Sequence, residues 1–197
     1  MTDVRTVILN VAAEHLAAAP LPVVTMAQIV DDAGLSVEQV APLYSSVHTI
    51  ASAILDHERG SMHAAQERVF EATDDPLERL TLAFRFVGEN LATDMLVRAG
   101  VRIAYESRHL FPERRLDPFR TWEKFVTTQL VVAESKGLLR AGVDVAGLVW
   151  IIVAAGMGTK DLLAFHDTWD EASIRLEATV AAVLDLVRAR PQPEVMP

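Results

Sequence analysis

The sequence predicts an all-α protein of nine helices, and three observations lead to this prediction. Apolar residues recur three and four positions apart along the whole chain, which is the spacing of one face of a helix. No stretch shows the sustained alternation of apolar and polar residues that a half-buried strand requires. Helix start and stop signals separate the apolar stretches. Of the 197 residues, 51% are hydrophobic and 23% are charged, which is typical of a folded globular chain.

Three short helices are predicted within the first 46 residues. The first runs from about residue 3 to residue 19 and ends at a Pro-Leu-Pro stop. Thr25 with Gln28, and Ser36 with Gln39, form capping boxes that open the second and third helices. We expect the second helix to end near residue 34 and the third near residue 44.

Six longer helices follow, and their apolar periodicity places them at about residues 47–71, 76–91, 94–107, 117–136, 143–165 and 169–190. The longest uncharged run, Val145 to Thr159, has 15 residues, whereas a membrane-spanning helix needs about 20. We therefore interpret it as a buried helix and expect no membrane contact. The N-terminus has no basic segment followed by an apolar run, so we expect a cytoplasmic protein.

Negative charge is concentrated at the N-terminal end of the chain. The net charge of the whole chain is −9. Residues 1–58 contain one base, Arg5, against seven acids, which is a local net charge of −6. This distribution disfavours binding to a polyanion. The chain has no cysteine, which excludes disulfides, thiolate metal sites and a cysteine nucleophile.

The first elements have the order helix, helix, tight turn at Ala33-Gly34-Leu35, helix, which is that of a helix-turn-helix module. The stretch Thr25–Ser36, followed by Leu43-Tyr44, Ser46 and Ile50-Ala51, resembles the N-terminal signature of the TetR-family transcriptional regulators. Three later features resemble the γ-butyrolactone autoregulator receptors of that family: Asp94–Glu106, Trp122 and Ala133–Asp144. The resemblance covers nearly the whole chain.

The resemblance implies a two-domain regulator. It places the helix-turn-helix module at residues 1–46, a ligand-binding and dimerisation domain at 47–190 and a tail at 191–197. It also implies a homodimer joined through the last two long helices. A small hydrophobic ligand would bind in a cavity of the larger domain and release the protein from an operator.

The third helix departs from the family where DNA would be contacted. The family has a lysine, a glycine, a tyrosine and a histidine at positions that are here Val37, Glu38, Ala41 and Leu43. Pro42 removes a helical hydrogen bond at a cost of about 3 kcal/mol, so we expect the helix to be kinked or cut short.

No Lys or Arg occurs from Thr6 to Glu58, so no base of this segment can neutralise a phosphate. The positions that would still face DNA are Gln28, Ser36, Val37, Gln39, Tyr44 and His48, and most of them can only offer hydrogen bonds. We expect direct DNA binding to be weakened or lost, because the charge disfavours it.

The ligand site is predicted from the resemblance together with apolar spacing. A tryptophan that matches Trp122 lines the cavity in the relatives. The polar ligand contacts of the relatives fall near Glu58 and near Met157 to Thr159. The relatives have a glutamine at the position of Glu58 and a threonine at the position of Met157. The lactone preference is therefore in doubt, while a cavity is still expected. Three further side chains are expected to line it, with plain core packing as the alternative: Phe86, Tyr105 and Val153.

A dimer interface is predicted at the small residues of the eighth helix. Ala154, Ala155, Gly156 and Gly158 let another helix approach closely, although the glycines could instead make room for ligand. The last helix would contribute Ile174, Val180, Val183, Leu184 and Val187. Lys160 follows the small residues, and we expect it to be exposed or paired with Asp161.

No catalytic or metal-binding motif is found. His57-Glu58 begins a zinc-protease motif that fails because position 61 is Ser61 rather than histidine. We predict no catalytic residues, no metal and no cofactor. Two alternatives stay open beside the regulator: a ligand-binding protein that makes no DNA contact, and an enzyme of small-molecule metabolism that reuses the scaffold.

Overall fold

The structure is a computed structural model that describes residues 3–189. Over that range it has nine α-helices joined by turns and four short 3₁₀ helices. The helices are α1 (Val4–Ala18), α2 (Met26–Asp32), α3 (Val37–Val40), α4 (Val47–Ala72), α5 (Pro76–Thr93), α6 (Met95–Glu106), α7 (Arg120–Ser135), α8 (Val145–His166) and α9 (Ala172–Asp185). The all-α fold class is confirmed. The predicted tail, 191–197, lies outside the described residues.

Both predicted capping boxes are present. The backbone N–H of Thr25 donates to Oε1 of Gln28 at 2.9 Å, and the backbone N–H of Gln28 donates to Oγ1 of Thr25 at 3.3 Å. Ser36 and Gln39 form the same arrangement at the start of α3. Between the two helices Gly34 has a φ of 62°, a left-handed conformation that glycine adopts without a steric penalty.

The third helix is shorter than predicted. α3 ends at Val40 instead of near Tyr44, because Pro42 has no N–H to donate to the preceding turn. The N–H groups of Leu43 and Tyr44 both donate to the carbonyl of Val40 at 2.9 Å, so the chain closes in a turn. The expectation that Pro42 cuts this helix short is confirmed.

The chain divides into two compact units. Within the described residues, the first unit consists of residues 3–64 with Thr93–Pro118, so α6 belongs with the helix-turn-helix module. The guanidinium of Arg102 on α6 donates to the carbonyl of Ala17 on α1 at 2.8 Å. The fully buried side chains of this unit include Ile8, Leu16, Ile29, Ile50, Ile54, Ile103 and Phe111. The predicted boundary at residue 46 thus falls inside a compact unit, and as a functional boundary it stays a prediction.

In the part of the chain that the structure describes, the second unit consists of Ala65–Ala92 with residues 119–189. A Cβ on Gly88 of α5 would lie 2.4 Å from Cα of Ser173, so the backbones of α5 and α9 approach closely there. The hydroxyl oxygens of Thr159 on α8 and Thr179 on α9 lie 3.0 Å apart. The buried side chains of this unit include Leu77, Leu80, Leu130, Ile152, Leu176 and Val180.

α8 is buried on one face only. Within the described residues it is the one helix long and apolar enough to cross a membrane by length and composition, and 33% of its most apolar window is buried. Leu148 and Ile152 lie in the core, whereas the side chains of Trp150 and Phe165 are 70% and 83% exposed. The expectation of a buried helix is therefore correct for the inner face alone.

Three residues predicted for the dimer interface lie inside the chain. Val180 and Leu184 are almost completely buried within α9's own unit. The ring of Phe84 occupies the space beside Gly156, where an added Cβ would meet it at 2.3 Å. The prediction is wrong at Val180, Leu184 and Gly156, because core packing leaves these residues no outer surface.

Candidate functional site

Most of the predicted DNA-facing residues are exposed on the first unit, namely Gln28, Ser36, Val37, Gln39 and His48. Tyr44 is the exception, because it is 5% exposed and packs in the core of the module. Its hydroxyl accepts a long hydrogen bond of 3.5 Å from Arg5. We therefore withdraw Tyr44 from the set, since a buried side chain has no surface to offer to a phosphate.

The side chains of the two exposed glutamines, Gln28 and Gln39, already make hydrogen bonds that cap their own helices. Oε1 of Gln39 accepts from the backbone N–H of Ser36 at 2.8 Å, as Oε1 of Gln28 does from Thr25. These bonds hold each side chain against the start of its own helix. Only the amide N–H groups of the glutamines remain to bind a phosphate.

The segment after α6 holds the N-terminal turns of α4. The ring of His48 stacks on Phe111 at 4.3 Å, and its Nε2 lies 3.9 Å from a carboxylate oxygen of Glu113. Arg114 donates two hydrogen bonds to Asp56, at 2.8 and 3.1 Å. The bond from Arg114 lowers the pKa of Asp56. Because Asp56 neutralises it, the charge of Arg114 is not free for a phosphate.

The exposed start of α3 carries a fixed negative charge. Hydrogen bonds from its own backbone amide and from the Ser36 hydroxyl lower the pKa of Glu38. Glu38 is therefore ionised at neutral pH, at the position where DNA would be contacted. Val37, beside it, is 60% exposed and apolar. The start of α3 therefore presents an ionised acid beside an apolar side chain.

Four aromatic side chains of the second unit form a connected cluster, here called the aromatic cluster: Phe70 of α4, Phe84 of α5, and Trp122 and Phe125 of α7. The ring centroids are 5.6 Å apart for Phe84 and Trp122, 6.0 Å for Trp122 and Phe125, and 6.2 Å for Phe70 and Phe125. Phe84 and Phe125 are each 7% exposed. Trp122, the principal predicted ligand residue, thus contacts the rings of Phe84 and Phe125 in an apolar cluster built by three helices.

The other predicted ligand residues are divided between the two units. Glu58 and Tyr105 belong to the first unit, and Tyr105 is 51% exposed. Phe86, Val153, Met157 and Thr159 belong to the second unit and are half-buried.

Two of these half-buried side chains have defined neighbours within the second unit. The ring of Phe86 is covered by the guanidinium of Arg68 at 3.9 Å. The hydroxyl of Thr159 donates to the carbonyl of Ala155 at 2.9 Å. Nearby, Lys160 pairs with Asp161 as expected.

An open groove of about 440 Å³ runs between α7 and α8 on the second unit. It is lined by Glu123, Thr127, Val145, Ala146, Val149 and Trp150. None of the predicted ligand residues is among them. An apolar molecule could therefore lie in this groove, beside Trp150, or at the aromatic cluster, beside Trp122.

Glu58 is packed against α6 instead of projecting into solvent. A Cβ on Gly100 would lie 2.4 Å from Cβ of Glu58, so the glycine makes room for this side chain. Burial raises the pKa of Glu58 to about 7, partly offset by the charges of Arg59 and His57. The adjacent His57 lies 2.6 Å from Asp94, the residue that caps the start of α6.

A buried glutamine in the second unit was missed by the sequence analysis. Gln129 of α7 is 2% exposed, and its Oε1 has no hydrogen-bond partner. The available signal was its position in the apolar stripe of α7, among Phe125, Val126, Leu130 and Ala133. Within the described residues, no group of three or more His, Asp or Glu side chains is placed to hold a metal ion.

The fold is similar to that of several solved regulators. CprB from S. coelicolor A3(2), a TetR-family protein, matches with a TM-score of 0.80 and 19% identity, over 95% of this chain and 89% of its own. A γ-butyrolactone receptor (ArpA-like protein) matches with 0.72 and 18%, over 93% of this chain and 96% of its own. The ketosteroid regulator KstR2 of Mycobacterium tuberculosis matches with 0.74 and 19%, over 96% and 97%.

No profile of a known protein family and no curated protein sequence matches the chain. The likeness therefore lies in the structure, at identities of about one residue in five. It defines the fold: the chain has the all-α fold of the TetR-family regulators, including the γ-butyrolactone receptors.

Proposed function

We propose that this protein is a cytoplasmic, ligand-binding regulator of the γ-butyrolactone-receptor kind that acts as a homodimer and has weakened or lost direct DNA binding. A small hydrophobic signal occupies the second unit at the aromatic cluster. Control of transcription then passes through a partner, or the protein sequesters the signal. The observation that carries the loss of DNA binding is the absence of any Lys or Arg from Thr6 to Glu58.

The geometry of the helix-turn-helix module supports this loss. Nonspecific affinity for DNA comes from Lys and Arg side chains that neutralise phosphates. Contacts to the edges of the nucleobases select the sequence only once the protein is held on the DNA. The module offers Val37 and the ionised Glu38 at the start of a helix of four residues, Val37–Val40. A helix of one turn also presents fewer side chains to a major groove than a full recognition helix does.

The aromatic cluster supports the ligand site. Trp122 touches both Phe84 and Phe125, and Trp122 itself is only half-buried. Clustered aromatic rings with few polar groups are typical of sites that bind small apolar ligands. A ligand that displaces or stacks against these rings would contact α5 and α7 together.

An outward stripe on α8 supports the homodimer. Its residues lie three and four positions apart on one exposed face: Ile151, Ala154, Gly158, Leu162 and Phe165. About a two-fold axis at Gly158, an antiparallel copy of α8 would set Ile151 against Phe165 of the partner and Ala154 against Leu162 of the partner. In each pair a larger side chain meets a smaller one. The Gly158 residues of the two copies let the two helices approach closely.

Two tryptophan variants test the ligand site. The ligand that copurifies is identified by mass spectrometry under native conditions, and its binding to Trp122→Ala and to Trp150→Ala is then measured. We expect Trp122→Ala to lose affinity while the dimer stays folded, and Trp150→Ala to bind as the unchanged protein does. If only Trp150→Ala loses affinity for the ligand, the ligand lies in the groove between α7 and α8. If the bound molecule is turned over, the protein is an enzyme instead.

A further inference from the structure

In the second unit, two glutamines each have one side-chain polar atom that is buried without a hydrogen-bond partner. These atoms are Oε1 of Gln129 on α7 and Nε2 of Gln66 on α4. A buried amide that makes no hydrogen bond loses its hydration without compensation, so such groups in native proteins are nearly always bonded to protein, water or ligand. Neither group has a protein partner here, which leaves water or a ligand.

The positions of both glutamines connect them to the aromatic cluster. Gln129 lies four residues after Phe125 on α7, and Gln66 lies four residues before Phe70 on α4. Residues four apart share a face of a helix. The rings of Phe125 and Phe70 touch each other, so each glutamine is one helical turn along its own helix from a residue of this contact.

The two cations that lie over aromatic rings of the second unit are each paired with an acid. Arg79, whose guanidinium lies 4.6 Å from the ring of Phe70, pairs with Asp74 at 3.0 Å. Arg68, the cation that covers Phe86, pairs with Glu89 at 3.1 Å. A buried anionic ligand would need a cationic partner, and Arg68 and Arg79 are already paired with acids of the protein. The site therefore fits a neutral ligand.

We propose that Gln129 is the polar anchor of the ligand site and selects a neutral amphiphile whose hydroxyl group donates to its Oε1. Gln66 supplies the second contact by donating from Nε2 to an oxygen of the same ligand. This inference rests on the proposed function, because it names the chemistry of the ligand that the aromatic cluster binds. It makes Gln129 a specificity-determining residue, distinct from the apolar residues that supply affinity.

A pair of probes that differ by one hydrogen-bond donor tests the anchor. The probes are 4-hexylphenol, which has a hydroxyl group, and 4-hexylanisole, in which a methyl ether replaces it. Binding is measured by isothermal titration calorimetry to the full chain. We expect the unchanged protein to bind the phenol about tenfold more tightly than the ether, which corresponds to one hydrogen bond of about 1.4 kcal/mol.

The variant Gln129→Met removes the acceptor while keeping an unbranched side chain of similar length. We expect the tenfold preference to disappear and the affinity for the ether to stay unchanged. We also expect the ligand-free variant to melt at a higher temperature, since an unpaired buried oxygen atom is gone. The control is Thr128→Val, an exposed neighbour on α7 that keeps the preference. Gln129→Leu repeats the test if the methionine variant folds poorly.

The outcomes separate the two claims. A preference that persists in Gln129→Met and Gln129→Leu, or equal binding of both probes to the unchanged protein, would overturn the role of Gln129 and leave the ligand site standing. Absence of binding of both probes would contradict the aromatic cluster as a ligand site, and the anchor with it.

Discussion

The ring of Phe84 fills the space beside Gly156, so that a Cβ at position 156 would lie 2.3 Å from Cε1 of the ring. This contact joins α5 to α8 within the second unit. The same ring touches Trp122 at 5.6 Å between centroids. The glycine therefore sets how close α8 comes to the aromatic cluster.

Gly156→Ala is expected to destabilise the protein, because the added methyl group must push the ring of Phe84 aside. Overpacking of a well-packed core typically costs about 1–3 kcal/mol. The matched control is Gly60→Ala on α4, where nothing lies within 4 Å of the added Cβ. That change should stabilise the protein by up to about 1 kcal/mol through helix propensity. Urea unfolding of both variants checks this, and equal stability of the two would refute the contact.

The stability of the protein is expected to fall as the pH rises from about 5 to 8 through the titration of Glu58. Burial raises the pKa of Glu58 in the folded state to about 7, whereas its ordinary value is 4.5. The folded state therefore binds more protons than the unfolded state between these values, so raising the pH disfavours folding. A shift of this size corresponds to a loss of about 3 kcal/mol at most.

The variant Glu58→Gln isolates this effect, because glutamine does not titrate. We expect its unfolding free energy to match that of the unchanged protein near pH 4.5 and to exceed it above pH 7. Glu14→Gln, at an exposed acid of α1, serves as the control and should follow the unchanged protein at every pH. A Glu58→Gln difference that is constant with pH would contradict the buried carboxyl group.

Restoring a lysine and the length of α3 is expected to raise nonspecific DNA affinity. The double variant Val37→Lys with Pro42→Ala adds a base at an exposed position and gives α3 back an N–H group. The gain should shrink as salt increases, since it comes from released counterions. Fluorescence anisotropy with a random duplex at two salt concentrations measures this. No gain at low salt would mean that the deficit lies outside the third helix.

Phe165→Glu is expected to dissociate the homodimer. The side chain of Phe165 is 83% exposed at one end of the α8 stripe. The antiparallel pairing would bury two Phe165 side chains, each against Ile151 of the partner. A charge in that interface has no counter-ion and would have to be desolvated. Sedimentation velocity at micromolar concentration should show a monomer. Val131→Glu, at a half-exposed apolar residue of α7 outside the stripe, should stay a dimer.

Local features of the fold could be predicted from the sequence, and contacts between helices could not. The capping boxes at Thr25 and Ser36 and the short third helix before Pro42 depend on residues within one or two turns of each other. Burial of Tyr44, by contrast, depends on the packing of several helices into the core of the first unit. The contact of Phe84 with Gly156 joins residues more than 70 positions apart, and no local pattern encodes it.

The candidate site shows the same division. Trp122 could be named from the resemblance, and the structure places it among aromatic rings. Gln129 could not be named, since a glutamine in an apolar stripe does not reveal whether its amide finds a partner. The structure supplies that fact by leaving Oε1 of Gln129 buried and unpaired.

Titration of the purified protein against its own promoter fragment at physiological salt tests the central claim most directly, with a random duplex of equal length beside it. We predict weak binding of equal strength to both duplexes, which added ligand leaves unchanged. Tight binding to the promoter fragment alone, released when ligand is added, would show that the acidic helix-turn-helix module still reads an operator and would contradict the account.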